Sequence, residues 1–313
     1  MPEKIIITTR GGIGDVLLCT PAIKALKETH PRARMIVYCL RKDHRQALLG
    51  NPYIDSLRML APLYLIRYPY HLYCYLTNKP GFGYFFNPQK LKYYRLNFGY
   101  VPVALLYDKS IKEIVPEIFN DIPLRMQDKR IQLFFSEREE AQARKRLEPY
   151  RNVILMHIYS RSSQNHMWPQ ERWERLIQAM PGYTFIQVGN RGEPLVKGAV
   201  DWRGKMADIR DVFCLLKYCL SFVGVDSCVA HATNAVGMPG VVLFGDTNPV
   251  HWGHDNNINI YKGLSCSPCH HFVEQASCPY HHECMEYIGV EEVKNALCVQ
   301  IAARRGWETA VAV

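Results

Sequence analysis

A chain of 313 residues with 48% hydrophobic and 21% charged residues has globular composition and is long enough for two cores, which excludes a disordered polypeptide. No stretch approaches the roughly 18 unbroken apolar residues of a membrane helix. Lysine and arginine (38) outnumber aspartate and glutamate (29), and the net charge of +9 favours an acidic partner: a phosphate-bearing substrate, an anionic membrane face or nucleic acid.

The chain opens as strand, glycine-rich turn and helix. Lys4–Thr9 is a continuous apolar and β-branched run, the pattern of a strand buried on both faces of a parallel sheet. The apolar run before Arg10 is too short for a secretory signal, so a cytoplasmic address is expected. Gly11, Gly12 and Gly14 make the turn, and residues 15–18 a first helical turn. Thr20 reads as an N-cap with Pro21 at the first helical position, and His30-Pro31 stops that helix. A second strand over residues 34–40 completes a βαβ unit.

From residue 64 to 107 the character changes. Ten of the 19 tyrosines fall there, with five basic residues and no acidic one. Two readings stand: an irregular aromatic-packed part of the first domain, or a basic aromatic surface for a large acceptor or partner.

Ser136 and Glu139 form a capping box that opens a charged helix to about Glu148. Strands follow over residues 151–158, 183–188, 220–225 and 239–244, with helices over 171–180, 206–218 and 228–236 and a closing helix over 290–305. Strands that alternate with helices specify an α/β domain. The simplest architecture is two Rossmann-like domains, 1–130 and 131–313, facing each other across a cleft.

Three constellations carry chemistry. In the first, a glycine-rich turn between strand and helix usually cradles phosphate. Here Asp15 follows Gly14 at once and would repel a pyrophosphate, while Leu17 occupies the place of the third glycine of the dinucleotide fingerprint. The turn suits a carboxylate poised as a general base. The plainer alternative is a charge partner for the helix N-terminus. In the second, a buried strand ends in Asp226-Ser227 and a helix starts at Cys228, with His231 one turn along on the Ser227 face. Free N–H groups there would make an anion site, and Asp226 could bond sugar hydroxyls. The alternative is an ordinary N-cap. In the third, Cys266, Cys269, Cys278 and Cys284 fall within 19 residues. Four thiolates close a tetrahedral site, and the expectation is a structural zinc or iron. His270, His271, His281 and His282 are alternative ligands. The other seven of the 11 cysteines read as buried hydrophobes.

The opening GGIGDVLLCTPAIKALKETHP resembles the N-terminal motif of bacterial heptosyltransferases, glycosyltransferase family nine. FVGVDSCVAHATNAVGMPGVVLFGDTNPVHWG resembles that family's C-terminal signature, in the right order and at the right separation. The resemblance implies a GT-B fold and inverting transfer of a heptose from ADP-heptose without a catalytic metal. It places the catalytic aspartate on Asp15, beside Gly14. The donor pyrophosphate site falls on Asp226, Ser227, Cys228 and His231, with Cys228 where the family usually has glycine. Ser160 takes a donor-contacting hydroxyl position, and Lys205-Met206 a stretch that lines the nucleotide. His166 stands where the family often has lysine, so a permanent cation becomes a titratable one; Arg161 is a candidate substitute. The cysteine segment is similar to that of members that glycosylate bacterial surface proteins and carry an iron-binding finger, although the spacing matches only in part.

The resulting expectation is direct displacement at the anomeric carbon, with Asp15 as base and the helix start at Ser227 stabilising the departing diphosphate. The donor is an ADP-sugar. The acceptor is a lipopolysaccharide core or a surface protein, with room for association with the inner-membrane surface and with further copies of the chain, and no nucleic acid. Two rivals remain. An NAD(P)-dependent oxidoreductase needs the complete glycine fingerprint and an acidic ribose ligand where Leu40-Arg41-Lys42 stands. A metal-knuckle nucleic-acid binder leaves Asp15 and Asp226-Ser227 unexplained.

Overall fold

The structure, a computed structural model, describes residues 4–9, 12–59, 91–96, 128, 130–160, 163–269 and 278–311. Most of the aromatic stretch, together with Gly11, Arg161, His270 and His271, lies outside them. The chain divides into two compact units, Met1–Phe134 and Phe135–Val313.

In the first unit four parallel strands, β1 (Lys4–Thr9), β2 (Arg34–Cys39), β3 (Ser56–Met59) and β4 (Leu91–Leu96), lie in the order β3-β2-β1-β4. The helices among its described residues are α1 (Ile13–Leu18), α2 (Thr20–Thr29) and α3 (Lys42–Leu48). Ile5 and Ile7 of β1, Leu17, Ile23 and Leu26 of the helices and Met35 of β2 are fully buried. This continuous burial is what a parallel sheet with helices on its faces demands. Thr20 does not cap α2 as expected. Cys19 holds the cap position, and the Thr20 hydroxyl instead donates to Leu17 O (2.7 Å) and accepts from Gln132 N (2.9 Å). These two bonds fix the joint between α1 and α2.

The second unit carries six parallel strands: β5 (Val153–His157), β6 (Thr184–Gln187), β7 (Val200–Asp201), β8 (Ser221–Val225), β9 (Gly240–Phe244) and β10 (Asn257–Tyr261). Their order is β10-β9-β8-β5-β6-β7. The chain therefore runs outward from β5 to β7, returns to β8 beside β5, and runs outward again. That reversal creates a crevice at the carboxyl ends of β5 and β8, the place where open α/β sheets bind ligands.

The helices of this unit are α4 (Glu137–Leu147), α5 (Gln170–Gln178), α6 (Ile209–Leu216), α7 (Cys228–Ala235), α8 (Pro249–Trp252), α9 (Glu283–Glu286) and α10 (Val290–Val311). α10 packs against α5 and strands β8, β9 and β10. Trp168 and Trp173 meet edge to face at 4.7 Å in this core, and Trp168 Nε1 donates to Ile288 O at 3.0 Å. α6 begins three residues later than the apolar pattern suggests, because the Asp208 carboxylate accepts from Arg210 N (2.9 Å) and Asp211 N (3.3 Å) and starts the helix there. No helix among the described residues is long and apolar enough to cross a membrane.

The capping box forms as read: Glu139 accepts from Ser136 N at 2.7 Å, and the Ser136 hydroxyl accepts from Glu139 N at 3.4 Å. Glu139 also pairs with Arg210 of α6. The Arg210 guanidinium holds its carboxyl down at about 2, well below the usual range. A depressed carboxyl stabilises the fold above its unfolded value, and that contribution is lost as pH falls toward 2. Glu139→Gln is therefore expected to lower the melting temperature at neutral pH and to cost progressively less below pH ~4. Equal losses at both pH values in thermal melts would show that the pair contributes nothing through its charge.

Candidate functional site

In the first unit the turn after β1 holds Asp15. Its Oδ2 accepts from Gly12 N at 2.6 Å, which closes the start of α1 and fixes the half-buried carboxylate against the turn. The cap alternative is thus realised at one oxygen, and Gly14 lies within α1 on the same short turn. Asp43, the first carboxylate after β2, is taken up by Arg41 and by His44 N (2.8 Å).

In the second unit the functional side chains converge on the carboxyl edge of the sheet. β5 and β8 run in register with His157 opposite Gly224. A Cβ at Gly224 would lie 2.5 Å from His157 O, so only glycine lets the two strand ends approach this closely. Past the strand ends, the Ser227 side chain does not cap α7; it meets His157 Nδ1 at 3.0 Å. The nearly buried His157 imidazole is pushed down to about 4 by burial and is neutral at pH 7. Its Nε2 lies 4.0 Å from Glu193 Oε2. Glu193 is held by Asn190 N (2.9 Å) and Asn190 Nδ2 (2.7 Å), beside Gly189, where a Cβ would collide with the carboxylate.

Asp226 is buried, accepts from Thr247 Oγ1 at 2.8 Å and faces His231 Nε2 at 3.9 Å. His231 Nδ1 in turn meets His254 Nε2 at 2.9 Å. Asp226 is thus occupied within the protein rather than presented to solvent. His166 ends a short 3-10 turn, Gln164–His166, and its Nε2 pairs with Asp246 in a site where both side chains are buried. Gly245 permits this, since a Cβ there would lie 2.4 Å from Asn165 O. Burial opposes the charged imidazole, but the bond to Asp246 and the nearby Asp226 raise His166 above its ordinary value. Ser160 is buried just after β5. Met206 follows β7, with its sulfur 2.8 Å from Arg146 Nη1, and none of its described contacts joins it to the histidine cluster.

The cysteine segment touches this same edge. Cys269 N donates to Asp246 O at 2.9 Å, Ser267 donates to Gly245 O, and His282 Nε2 meets Asn165 Oδ1 at 2.9 Å. Cys284 and Met285 enter the main core, so the segment is anchored by apolar packing that its sequence did not suggest. Cys269 is pushed up to about 11 and Cys284 to about 12, first by burial and then by neighbouring charge, including the other thiols and Asp246. The thiols are thus within electrostatic reach of one another. Among the described residues, however, no three His, Cys, Asp or Glu side chains converge closely enough to hold a metal ion.

The sequence reading missed His157, Glu193, Asp246, Thr247 and His254. Three of these follow one rule that was applied only to Asp226. In a parallel sheet the first polar residues at the end of each buried strand line the ligand edge, which marks His157, Asp246 and Thr247.

The two α/β units with their parallel sheets have the GT-B fold, and solved structures of that fold match 96% of the chain. Residues 195–279, within the second unit, match the family model for glycosyltransferase family 9 (heptosyltransferase). A family 9 glycosyltransferase from Veillonella parvula DSM 2008 is 16% identical, with a TM-score of 0.72 over 96% of this chain and 98% of that one. The Escherichia coli ADP-heptose lps heptosyltransferase II is also 16% identical, with a TM-score of 0.68 over 96% and 99%. The iron-containing dodecameric glycosyltransferase TibC from enterotoxigenic E. coli H10407 gives 16% identity and a TM-score of 0.64 over 97% of this chain and 78% of that one. Compared by sequence alone with curated proteins, the chain matches none. The resemblance read from the two motifs and the GT-B expectation are borne out.

The raised His166 gives a test of the local electrostatics. Its pairing with Asp246 contributes stability that is complete below the unfolded value near ~6.5 and is lost as pH rises through the folded value. In Asp246→Asn, the His166 titration followed by NMR should fall below the ordinary imidazole range, and the loss of stability should be larger below pH ~6 than above pH ~9. A titration unchanged by the substitution would show that Asp246 does not set the charge of His166.

Proposed function

We propose that the chain transfers a heptose from ADP-heptose, with inversion, to a hydroxyl of a lipopolysaccharide core or of a surface protein. The observation that carries this reading is the meeting of the family 9 match at residues 195–279 with the α7 start, where Ser227 leaves the N-terminal amides of the helix uncapped by its side chain. The positive end of a helix whose N-cap side chain is turned elsewhere favours a diphosphate. His166, whose proton affinity the bond to Asp246 raises, stands at the same sheet edge where the family often has lysine. Asp226, His231 and Thr247 brace the turn that presents Ser227 and Cys228. Ser160 and Met206 are assigned to the donor surface by the family resemblance alone, since the described contact of Met206 is with Arg146. No catalytic metal is part of this proposal, in which the amide dipoles of the α7 start take up the charge that develops on the leaving diphosphate.

Asp15 is the proposed base. Its bond to Gly12 N fixes the orientation of the carboxylate, and the proposal is that it takes the acceptor proton as the new glycosidic bond forms. The reaction is proposed to take place in the cytoplasm, at the inner-membrane surface, to which a net charge of +9 would draw the protein. Self-assembly is part of the proposal, since the similar TibC structure is described as dodecameric.

Cys266, Cys269, Cys278 and Cys284 are proposed to close on one structural iron or zinc ion. What supports this is the donor chemistry and the mutual electrostatic reach of the thiols; the metal would draw in side chains that are not yet gathered. Elemental analysis of protein purified without added metal should find about one ion per chain. A ratio near zero with all four thiols freely reactive would remove the site.

Asp15→Asn should keep the fold and bind ADP nearly as well as the parent, while turnover falls by about two orders of magnitude or more. Unchanged turnover on a true acceptor would leave Asp15 as a helix cap only.

A further inference from the structure

The His157–Ser227 contact raises a question of hydrogen-bond direction. A neutral imidazole has one N–H donor and one bare acceptor nitrogen. Nε2 faces the buried Glu193 carboxylate at 4.0 Å, and that negative charge favours the proton on Nε2. Nδ1 is then the acceptor, and the Ser227 hydroxyl, 3.0 Å away, must donate to it. In that state Ser227 offers only lone pairs outward. A phosphate oxygen, which also has only lone pairs, needs the opposite.

For the hydroxyl to turn and donate to a phosphate, Nδ1 must become an N–H and donate to Ser227 Oγ. Nε2 keeps its proton opposite Glu193, so the ring becomes an imidazolium. Two negative groups then flank it: Glu193 on one side and, through Ser227, the diphosphate on the other. We infer that a diphosphate seated at Ser227 is bound together with one proton, which His157 takes from solvent. This inference rests on the proposed donor site at the start of α7.

The ionisable groups on the surrounding elements fit this division of labour. Glu193 comes from the loop after β6. Asp226, on the turn after β8, is directed to Thr247 and to His231 of α7. Asp246, after β9, is paired with His166. Glu193 is thus the carboxylate within 4.0 Å of the His157 ring among the described residues. The Gly189 gap that accommodates the Glu193 carboxylate holds it there. His157 touches the ligand through Ser227, so it is a positioning residue.

Isothermal titration of ADP into the full chain, at one pH and in buffers of different ionisation enthalpy, counts the protons taken up. Comparison with His157→Gln removes the contribution of ADP's own phosphate. Per ADP bound, the wild-type chain should take up more protons than His157→Gln, by about half a proton or more, and Glu193→Gln should fall between the two. In ¹⁵N spectra, His157 should change from one protonated nitrogen to two when ADP is added. ADP binding with the same proton count in wild type and His157→Gln, or an unchanged His157 spectrum, would overturn the inference and leave the donor site standing. Failure of ADP to bind the wild-type chain at all would overturn both.

Discussion

The candidate donor site depends on β5 and β8 ending side by side. The two strands are adjacent because the chain returns to the middle of the sheet after β7, and they are parallel, so both carboxyl ends fall on one edge. Gly224 then removes the last obstacle, as no side chain separates it from the His157 carbonyl. From that contact follow the distance from His157 to Ser227, the position of the α7 N-terminus and the orientation of its amides. Residues 70 positions apart in sequence are brought within one hydrogen bond. In the first unit the β1 turn plays the corresponding part for Asp15.

Along this edge of the second unit three imidazole–carboxylate pairs recur: His157 with Glu193, His166 with Asp246 and His231 with Asp226. Buried ionisable groups are costly, and pairing them rarely stabilises a fold more than apolar packing would. Their concentration at one sheet edge therefore points to work at that edge. The pairs are not equivalent. Burial drives His157 down to about 4, while Asp246 draws His166 upward, so the two histidines are shifted in opposite directions along one sheet edge.

Much of this was legible in the sequence, for identifiable reasons. The strands of the second unit are continuous apolar runs, and each of the four expected strands is found within a residue or two of its expected bounds. The capping box at Ser136 is a local signal and forms locally. What escaped is what the chain builds at long range. Two-residue β7 has no period to read, and polar residues alternate in β10, which resembles a loop until it pairs with β9. Thr20 carried a capping signal, yet tertiary bonds to Leu17 and Gln132 redirected its hydroxyl. Glu193 lies in the loop after β6, and its place beside His157 appears only when β5 and β6 are adjacent. The sequence shows four cysteines close together but not that Cys269 and Ser267 tie the segment to the Gly245–Asp246 turn. Its state therefore bears on the position of His166 as well as on stability.

The most direct measurement is a thermal-shift comparison of the full chain with ADP, ADP-heptose, NAD and NADP at matched concentrations. At about 100 times the dissociation constant a ligand adds about 2.7 kcal/mol to stability, which is visible in a melt. ADP and ADP-heptose should raise the melting temperature, because the α7 start and His166 are the proposed diphosphate site. NAD and NADP should leave it unchanged, because the first glycine turn presents Asp15 where a pyrophosphate would have to sit. Stabilisation by NADP with no response to ADP or ADP-heptose would contradict the account.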